Sequence, residues 1–169
     1  LILAILIPGA ITILIFVLDN KIRNISEIKN LTDIPILAEI PNLSKTNISE
    51  GIKFFDTNLR HVFVEAIRIL EANLSYLGID KESSDNDKII LVTSSVKGEG
   101  KTIIASSIAK VLSNKGKKVL LIGSDLRNPQ IHKLFKLKKD NYKGLSDLIF
   151  KKDLNWKDLI IKDNKLDIL

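Results

Sequence analysis

Asp87-Lys88-Ile89-Ile90-Leu91-Val92-Thr93 runs straight into Ser94-Ser95-Val96-Lys97-Gly98-Glu99-Gly100-Lys101-Thr102, and this stretch decides the fold. Its first half has the unbroken apolar character of a buried parallel strand. Its second half is a Gly-rich turn. After it, Ile103, Ile104, Ile108, Val111 and Leu112 fall at helical spacing until Asn114-Lys115-Gly116. A strand, a Gly-rich turn and a helix in that order are the context of a phosphate-binding loop. Gly98 and Gly100 let backbone N–H groups approach and point at phosphate oxygens. The N-terminus of the helix adds the positive end of its dipole. The Lys101 ammonium would neutralise β- and γ-phosphates, and the Thr102 hydroxyl would ligate Mg²⁺. The match to G-x-x-x-x-G-K-[ST] departs at one place, since Ser95 stands where the first Gly belongs.

Lys117-Lys118-Val119-Leu120-Leu121-Ile122-Gly123 reads as a second apolar strand. With a helix between them, the two strands make a βαβ crossover and the sheet should be parallel. Ser124-Asp125-Leu126-Arg127-Asn128-Pro129 comes next, at the strand's C-terminal edge, where ligands bind in open α/β sheets. Asp125 would there face the Thr102 region and hold a metal or accept a proton from an attacking hydroxyl. The alternative is a turn residue that caps the next helix. Arg127 suits a phosphate or the loop's own organisation.

Upstream, apolar residues at 59, 62, 63, 66, 67, 70, 74 and 77 mark a helix that Gly78 ends. Glu65, Arg68 and Glu71 would share the side opposite that stripe. They are either a solvated face with i,i+3 ion pairs or a partner-facing stripe.

Leu1–Leu18, LILAILIPGAITILIFVL, carries no charge. As a helix it would rise about 27 Å, close to the roughly 30 Å hydrocarbon core of a bilayer. A buried core helix and a signal-peptide core are the competing readings. The latter is usually preceded by basic residues and followed by a small-residue cleavage site, whereas Asp19-Asn20 comes next here. Lys21, Arg23 and Lys29 lie just beyond, which by the positive-inside tendency puts everything after residue 18 in the cytoplasm. The organisation expected is a transmembrane helix over 1–18, a juxtamembrane linker over 19–57 and an incomplete P-loop domain over 58–169. In the linker, Ile22, Ile25, Ile28 and Leu31 suggest a short amphipathic helix, and Ile34–Pro41 an extended segment. The chain has no Met and opens inside an apolar run, so it reads as a fragment.

Of 169 residues, 26 are Lys or Arg and 20 are Asp or Glu, giving a net charge of +6. The whole excess lies between Arg127 and Lys152, with eight basic residues against Asp140 and Asp147. That window is a solvated basic face or one attracted to anionic lipid. Aromatics at 5% leave little for base stacking, so no nucleic-acid partner is expected. The absence of Cys excludes disulfides, thiolate zinc sites and a Cys nucleophile.

Taken in order, these residues resemble the bacterial tyrosine kinases of the polysaccharide co-polymerase family. Leu1–Leu18 is similar to that family's second membrane helix, and Ile34–Pro41 to its post-membrane segment. Glu65–Leu74 resembles its Glu-x-x-Arg-x-x-Arg helix, Ser94–Thr102 its Walker A loop, and Val119–Pro129 its second, Asp-containing motif with an Arg-x-Pro tail. His132 and Phe135 are similar to the family's residues after that tail, and Gly144-Leu145-Ser146 to the start of its next helix. The resemblance implies a doubly wound, parallel P-loop α/β domain, truncated here, that uses ATP and Mg²⁺ to phosphorylate tyrosine. It implies nucleotide binding by Ser95, Lys97, Gly98, Glu99, Gly100, Lys101, Thr102 and Arg127, catalysis by Lys101 and Asp125, and a metal at Thr102 and Asp125. It further implies a homo-oligomeric ring through Glu65 and Arg68, the bacterial inner membrane as location, and the polysaccharide polymerisation and export machinery as partner.

Three departures stand out. Gly123 replaces the first of two Asp residues, Glu71 replaces the helix's second Arg, and Lys97 replaces a common Pro. With Gly123 in view, a second expectation is an ATP-binding chain-length regulator with little kinase activity. A third is a membrane-tethered relative of the partitioning ATPases, although their signature Lys is absent at Val96.

Overall fold

The computed structural model describes residues 2–18, 22, 24–42, 61–79, 88–137, 143–151 and 153–169. The last part of the linker expected over 19–57, residues 43–57, falls outside them, as do Lys138, Lys139, Asp140, Tyr142 and Lys152. The chain divides into two compact units, Leu1–Ile36 and Leu37–Leu169.

The first unit holds helix α1, Ile2–Leu18, and helix α2, Ile25–Leu31. Pro8 lies inside α1, and the Thr12 hydroxyl, one turn on, donates to the carbonyls of Pro8 (2.7 Å) and Gly9 (2.9 Å). The apolar side chains Ile11 and Ile13–Leu18 are exposed. Seventeen residues rise about 25 Å. Among the described residues, no helix is long and apolar enough to cross a membrane. The amphipathic spacing of Ile25, Ile28 and Leu31 does form a helix, and none of its residues is buried.

The second unit is layered. Helix α3, His61–Leu74, ends in a single π-helical turn, Ser75–Ile79, which contains Gly78. Helix α4, Lys101–Asn114, packs beside it. Phe63, Ile67 and Leu70 of α3 meet Ile108 and Val111 of α4 in one buried cluster. Each such side chain contributes about 1.5–3 kcal/mol on burial. Leu37, Ala38 and Ile40 of the extended segment also pack here, and Asn73 Nδ2 donates to the Leu37 carbonyl (2.5 Å).

The opposite side of α4 covers a small sheet. Its order is β1-β3-β2, with β1 Val119–Leu121, β2 Ile161–Asp163 and β3 Leu166–Ile168. Ala109 of α4 packs with Leu121, Leu166 and Ile168. Strands β1 and β3 are parallel, in the register Val119↔Leu166 to Leu121↔Ile168. Their pairing continues through Leu169 N–H to the Leu121 carbonyl (2.9 Å) and Gly123 N–H to the Leu169 carbonyl (2.8 Å). Lys110 on α4 reaches Asp163 on β2 at 2.8 Å. Short helices α5, Ile131–Leu134, and α6, Leu145–Phe150, complete the unit, with a 3₁₀ turn at Trp156–Leu159.

Three expectations need correction. The sheet is mixed rather than wholly parallel, because β2 and β3 form an antiparallel hairpin across Asn164-Lys165, with Asn164 in the left-handed region (φ +56°). Nor is it doubly wound among the described residues, since Leu120 and Ile122 on its other face remain exposed. Second, residues 88–93 are not a strand. An apolar run signals burial potential, but a strand also needs a neighbour for its N–H and C=O groups. Among the described residues β1 pairs only with β3, and Ile89 and Leu91 stay exposed. Third, Glu71 does not share the exposed face of Glu65 and Arg68; it is 2% exposed. Each i+3 step falls about 60° short of a full turn, so Glu71 lies about 120° from Glu65 and beside Ile67.

Candidate functional site: a phosphate loop facing an acidic turn

The loop Ser94–Gly100 enters α4 through Gly100, which has φ +92°. Gly98 has φ +96°, and a Cβ at either glycine would meet nothing within 4 Å. These two turns are therefore reserved for glycine by backbone conformation and not by space. Ser95 is not among the positive-φ residues, so Ser fits where the motif has its first Gly. Ile104 N–H donates to the Gly100 carbonyl (3.0 Å) and starts the helix. No side chain caps the N-terminus of α4, and its first turn holds no acid. The leading amides are thus left available to an anion.

Across from this loop lies the turn after β1. Asn128 N–H donates to Asp125 Oδ1 (3.1 Å), and Gln130 Nε2 donates to Asn128 Oδ1 (2.7 Å). Asp125 thus organises its own turn but does not cap the next helix, whose N-cap is Gln130. Asp125 is also exposed, and among the described residues its Oδ2 carries no hydrogen bond.

The two loops border one open groove of about 1100 Å³. Ser95, Lys97, Gly98, Gly100, Lys101, Thr102, Asp125 and Arg127 all line it. Among the described residues Asp125 is the one carboxylate on its wall, against Lys97, Lys101, Arg127 and Lys133. Such a balance suits a polyanion. Two residues depart from expectation. Glu99 does not line the groove; its Oε2 accepts from Val96 N–H (3.1 Å) inside the loop. A carboxylate beside phosphates would be repelled, whereas turned back onto the loop's own amide it completes the turn. Lys133 lines the groove, although its window reads as solvated or lipid-facing. A signal for it exists in the sequence: α5 comes directly after the Asp125 turn, which brings its residues to the same edge. Asn128 and Gln130 are further wall residues that the motif reading missed, for the same reason.

The residues fit a magnesium nucleotide. Thr102 offers a hydroxyl and Asp125 an oxygen on the same groove, with free amides between Gly98 and α4. Among the described residues no group of three or more His, Cys, Asp or Glu could hold a metal by itself. Mg²⁺ characteristically relies on one or two protein oxygens plus phosphate and water. On α3, Arg68 Nη1 lies 3.3 Å from Glu65 Oε2, with both side chains exposed.

Comparison with known proteins gives these features a context. No family model matches the chain. It is 38% identical over 88 residues to tyrosine-protein kinase YwqD of Bacillus subtilis, covering 52% of this chain and 35% of that protein. It is 33% identical over 90 residues to tyrosine-protein kinase etk of Escherichia coli, covering 53% of this chain and 12% of that protein. A third relative, at 34% over 88 residues, is the putative tyrosine-protein kinase CapB of Staphylococcus aureus, covering 52% of this chain and 36% of the relative. The homologues are bacterial tyrosine-protein kinases. The chain spans about a third or less of the length of these relatives.

Solved structures agree. The kinase domain of Escherichia coli tyrosine kinase ETK superposes with a TM-score of 0.68 at 26% identity, over 88% of this chain and 60% of that one. The chimerical protein CapA2B2 gives 0.66 at 25% identity, over 86% and 59%. The BceF tyrosine kinase domain gives 0.69 at 19% identity, over 88% and 61%, which speaks to the fold alone. The fold is therefore that of a tyrosine kinase P-loop domain of mixed α/β type.

Proposed function

We propose that the chain is the nucleotide-binding part of an ATP-dependent protein-tyrosine autokinase that regulates the chain length and export of capsular or exopolysaccharide. The observation that carries this reading is the shared groove of Lys101, Thr102 and Asp125 at the uncapped start of α4. Names of the relatives support the reaction type.

In this reading the amides around Gly98 and Gly100, with Lys101, bind and orient a triphosphate. Thr102 and Asp125 would hold Mg²⁺. When bound, the magnesium nucleotide supplies the transferable γ-phosphoryl and neutralises its charge. Asp125 Oδ2 takes the proton of the incoming tyrosine hydroxyl. Arg127 holds a phosphate oxygen from the groove's other wall. Exposed Glu65 and Arg68 form the contact to a neighbouring copy in a ring, so that one copy phosphorylates the next. Helix α1, apolar on every side, belongs to a membrane anchor at the bacterial inner membrane, with residues after 18 in the cytoplasm. A helix apolar all round needs an apolar environment to be stable.

Phosphotyrosine blotting tests the reading. The protein with MgATP should acquire phosphotyrosine, and Lys101→Ala should not. A second reading, a nucleotide-sensing regulator with little transfer, draws on Asp125 being the one carboxylate on the groove wall among the described residues. ATP-dependent assembly without phosphotyrosine would select it.

A further inference from the structure

Val96 sits at the tip of the phosphate loop with both of its backbone polar groups tied to side chains of the same loop. Its N–H donates to Glu99 Oε2 (3.1 Å), and its carbonyl accepts from the Ser94 hydroxyl (3.1 Å). Glu99 stands between Gly98 and Gly100, the two residues of the loop with positive φ. Glycine loses more conformational freedom on ordering than any other residue, so a Gly-Glu-Gly hinge would otherwise be ordered only by its ligand. The Glu99 side chain closes the turn before any ligand arrives, and it does so without lining the groove.

We propose that Glu99 is a positioning residue: a carboxylate brace that holds Val96 N–H and pre-forms the phosphate loop, acting through the backbone and not on the nucleotide. The proposal rests on the nucleotide-binding reading above and assigns Glu99 a role other than ligand contact. A charge is not what the contact requires. It requires an acceptor oxygen of the right reach, and a Gln side chain supplies one.

Two measurements on the intact protein decide it. In the nucleotide-free state, hydrogen exchange at the Val96 amide should be about tenfold faster in Glu99→Ala and near wild type in Glu99→Gln. Unchanged exchange in Glu99→Ala overturns the brace, whether or not the protein binds nucleotide. In turnover, Glu99→Ala should raise KM for ATP about tenfold with kcat nearly kept, because ligand binding must then order the loop. Glu99→Gln should restore KM. Equal damage from Gln and Ala would mean that Glu99 acts by its charge on magnesium or phosphate, which overturns the proposal. If wild-type protein binds no ATP, the phosphate-loop reading fails, and Val96 exchange still reports on the brace.

Discussion

Lys115, the residue that closes α4, forms an ion pair with Glu71 on α3, whose side chain is 2% exposed. The same carboxylate accepts from the Ser75 hydroxyl (3.4 Å) in the π-helical turn. The charge that looks like a reversal on an oligomer face is therefore an internal tie between the two packed helices. It joins the far end of the nucleotide-loop helix to the helix that carries Glu65 and Arg68.

Removing Lys115 should expose the cost of that burial. A buried charge left without its partner is strongly destabilising, and the half-exposed Lys115 end softens this to about 1–3 kcal/mol. Lys115→Met should lower the urea midpoint at unchanged slope, while Glu71→Gln combined with Lys115→Met should recover much of the loss. Equal stability of Lys115→Met and wild type would remove the tie from the account.

Glycine 100 offers a test that separates conformation from space. A Cβ there meets nothing within 4 Å, but its φ of +92° is disfavoured for any L side chain. Gly100→Ala should cost about 1–2 kcal/mol and weaken nucleotide binding by distorting the entry to α4. Thermal unfolding with and without MgATP measures both. A variant that matches wild type in both would show that the left-handed turn is dispensable.

Much of the site is legible in the sequence because its chemistry is local. Gly98, Gly100, Lys101 and Thr102 are adjacent, and a Gly-rich turn before an amphipathic helix has few other uses. Asp125 is legible through topology, since the edge after a parallel strand is where such sheets bind ligands. The hidden features depend on contacts that periodicity does not encode. The Ile89–Val92 run has strand composition but no partner strand among the described residues. The β2–β3 hairpin needs Asn164 to take a left-handed turn between two three-residue strands, too short for alternation to mark them. Glu99 and Glu71 look like surface or ligand-facing carboxylates, and each is bound internally, to Val96 and to Lys115.

Position 123 tests the departure in the second motif. A Cβ on Gly123 would lie 3.1 Å from Ile131 Cδ1 and 3.6 Å from the Leu169 carbonyl. Gly123 lines the neighbouring cavity of about 390 Å³ with Leu126, Pro129 and Ile131, and not the Lys101 groove. Gly123→Asp should therefore destabilise the protein by about 1–3 kcal/mol and leave magnesium-dependent nucleotide affinity unimproved. Tighter MgATP binding by Gly123→Asp would show that the side chain turns into the groove.

The pair on α3 should matter for assembly and not for folding. Arg68 and Glu65 are 61% and 57% exposed, so their 3.3 Å contact is worth under about 1 kcal/mol. Arg68→Glu should leave the unfolding temperature within about 2 °C and shift sedimentation toward the monomer. An unaltered distribution of species would take the oligomer contact off this face.

The central claim is that the Gly98–Thr102 loop and Lys101 grip a nucleotide's phosphates. Calorimetric titration of the protein with MgATP, alongside Lys101→Ala, tests it most directly. Wild type should give saturable heat at one site. Loss of the Lys101 ammonium should weaken binding by about 10- to 100-fold. No heat from wild type, or an identical isotherm from Lys101→Ala, would contradict it.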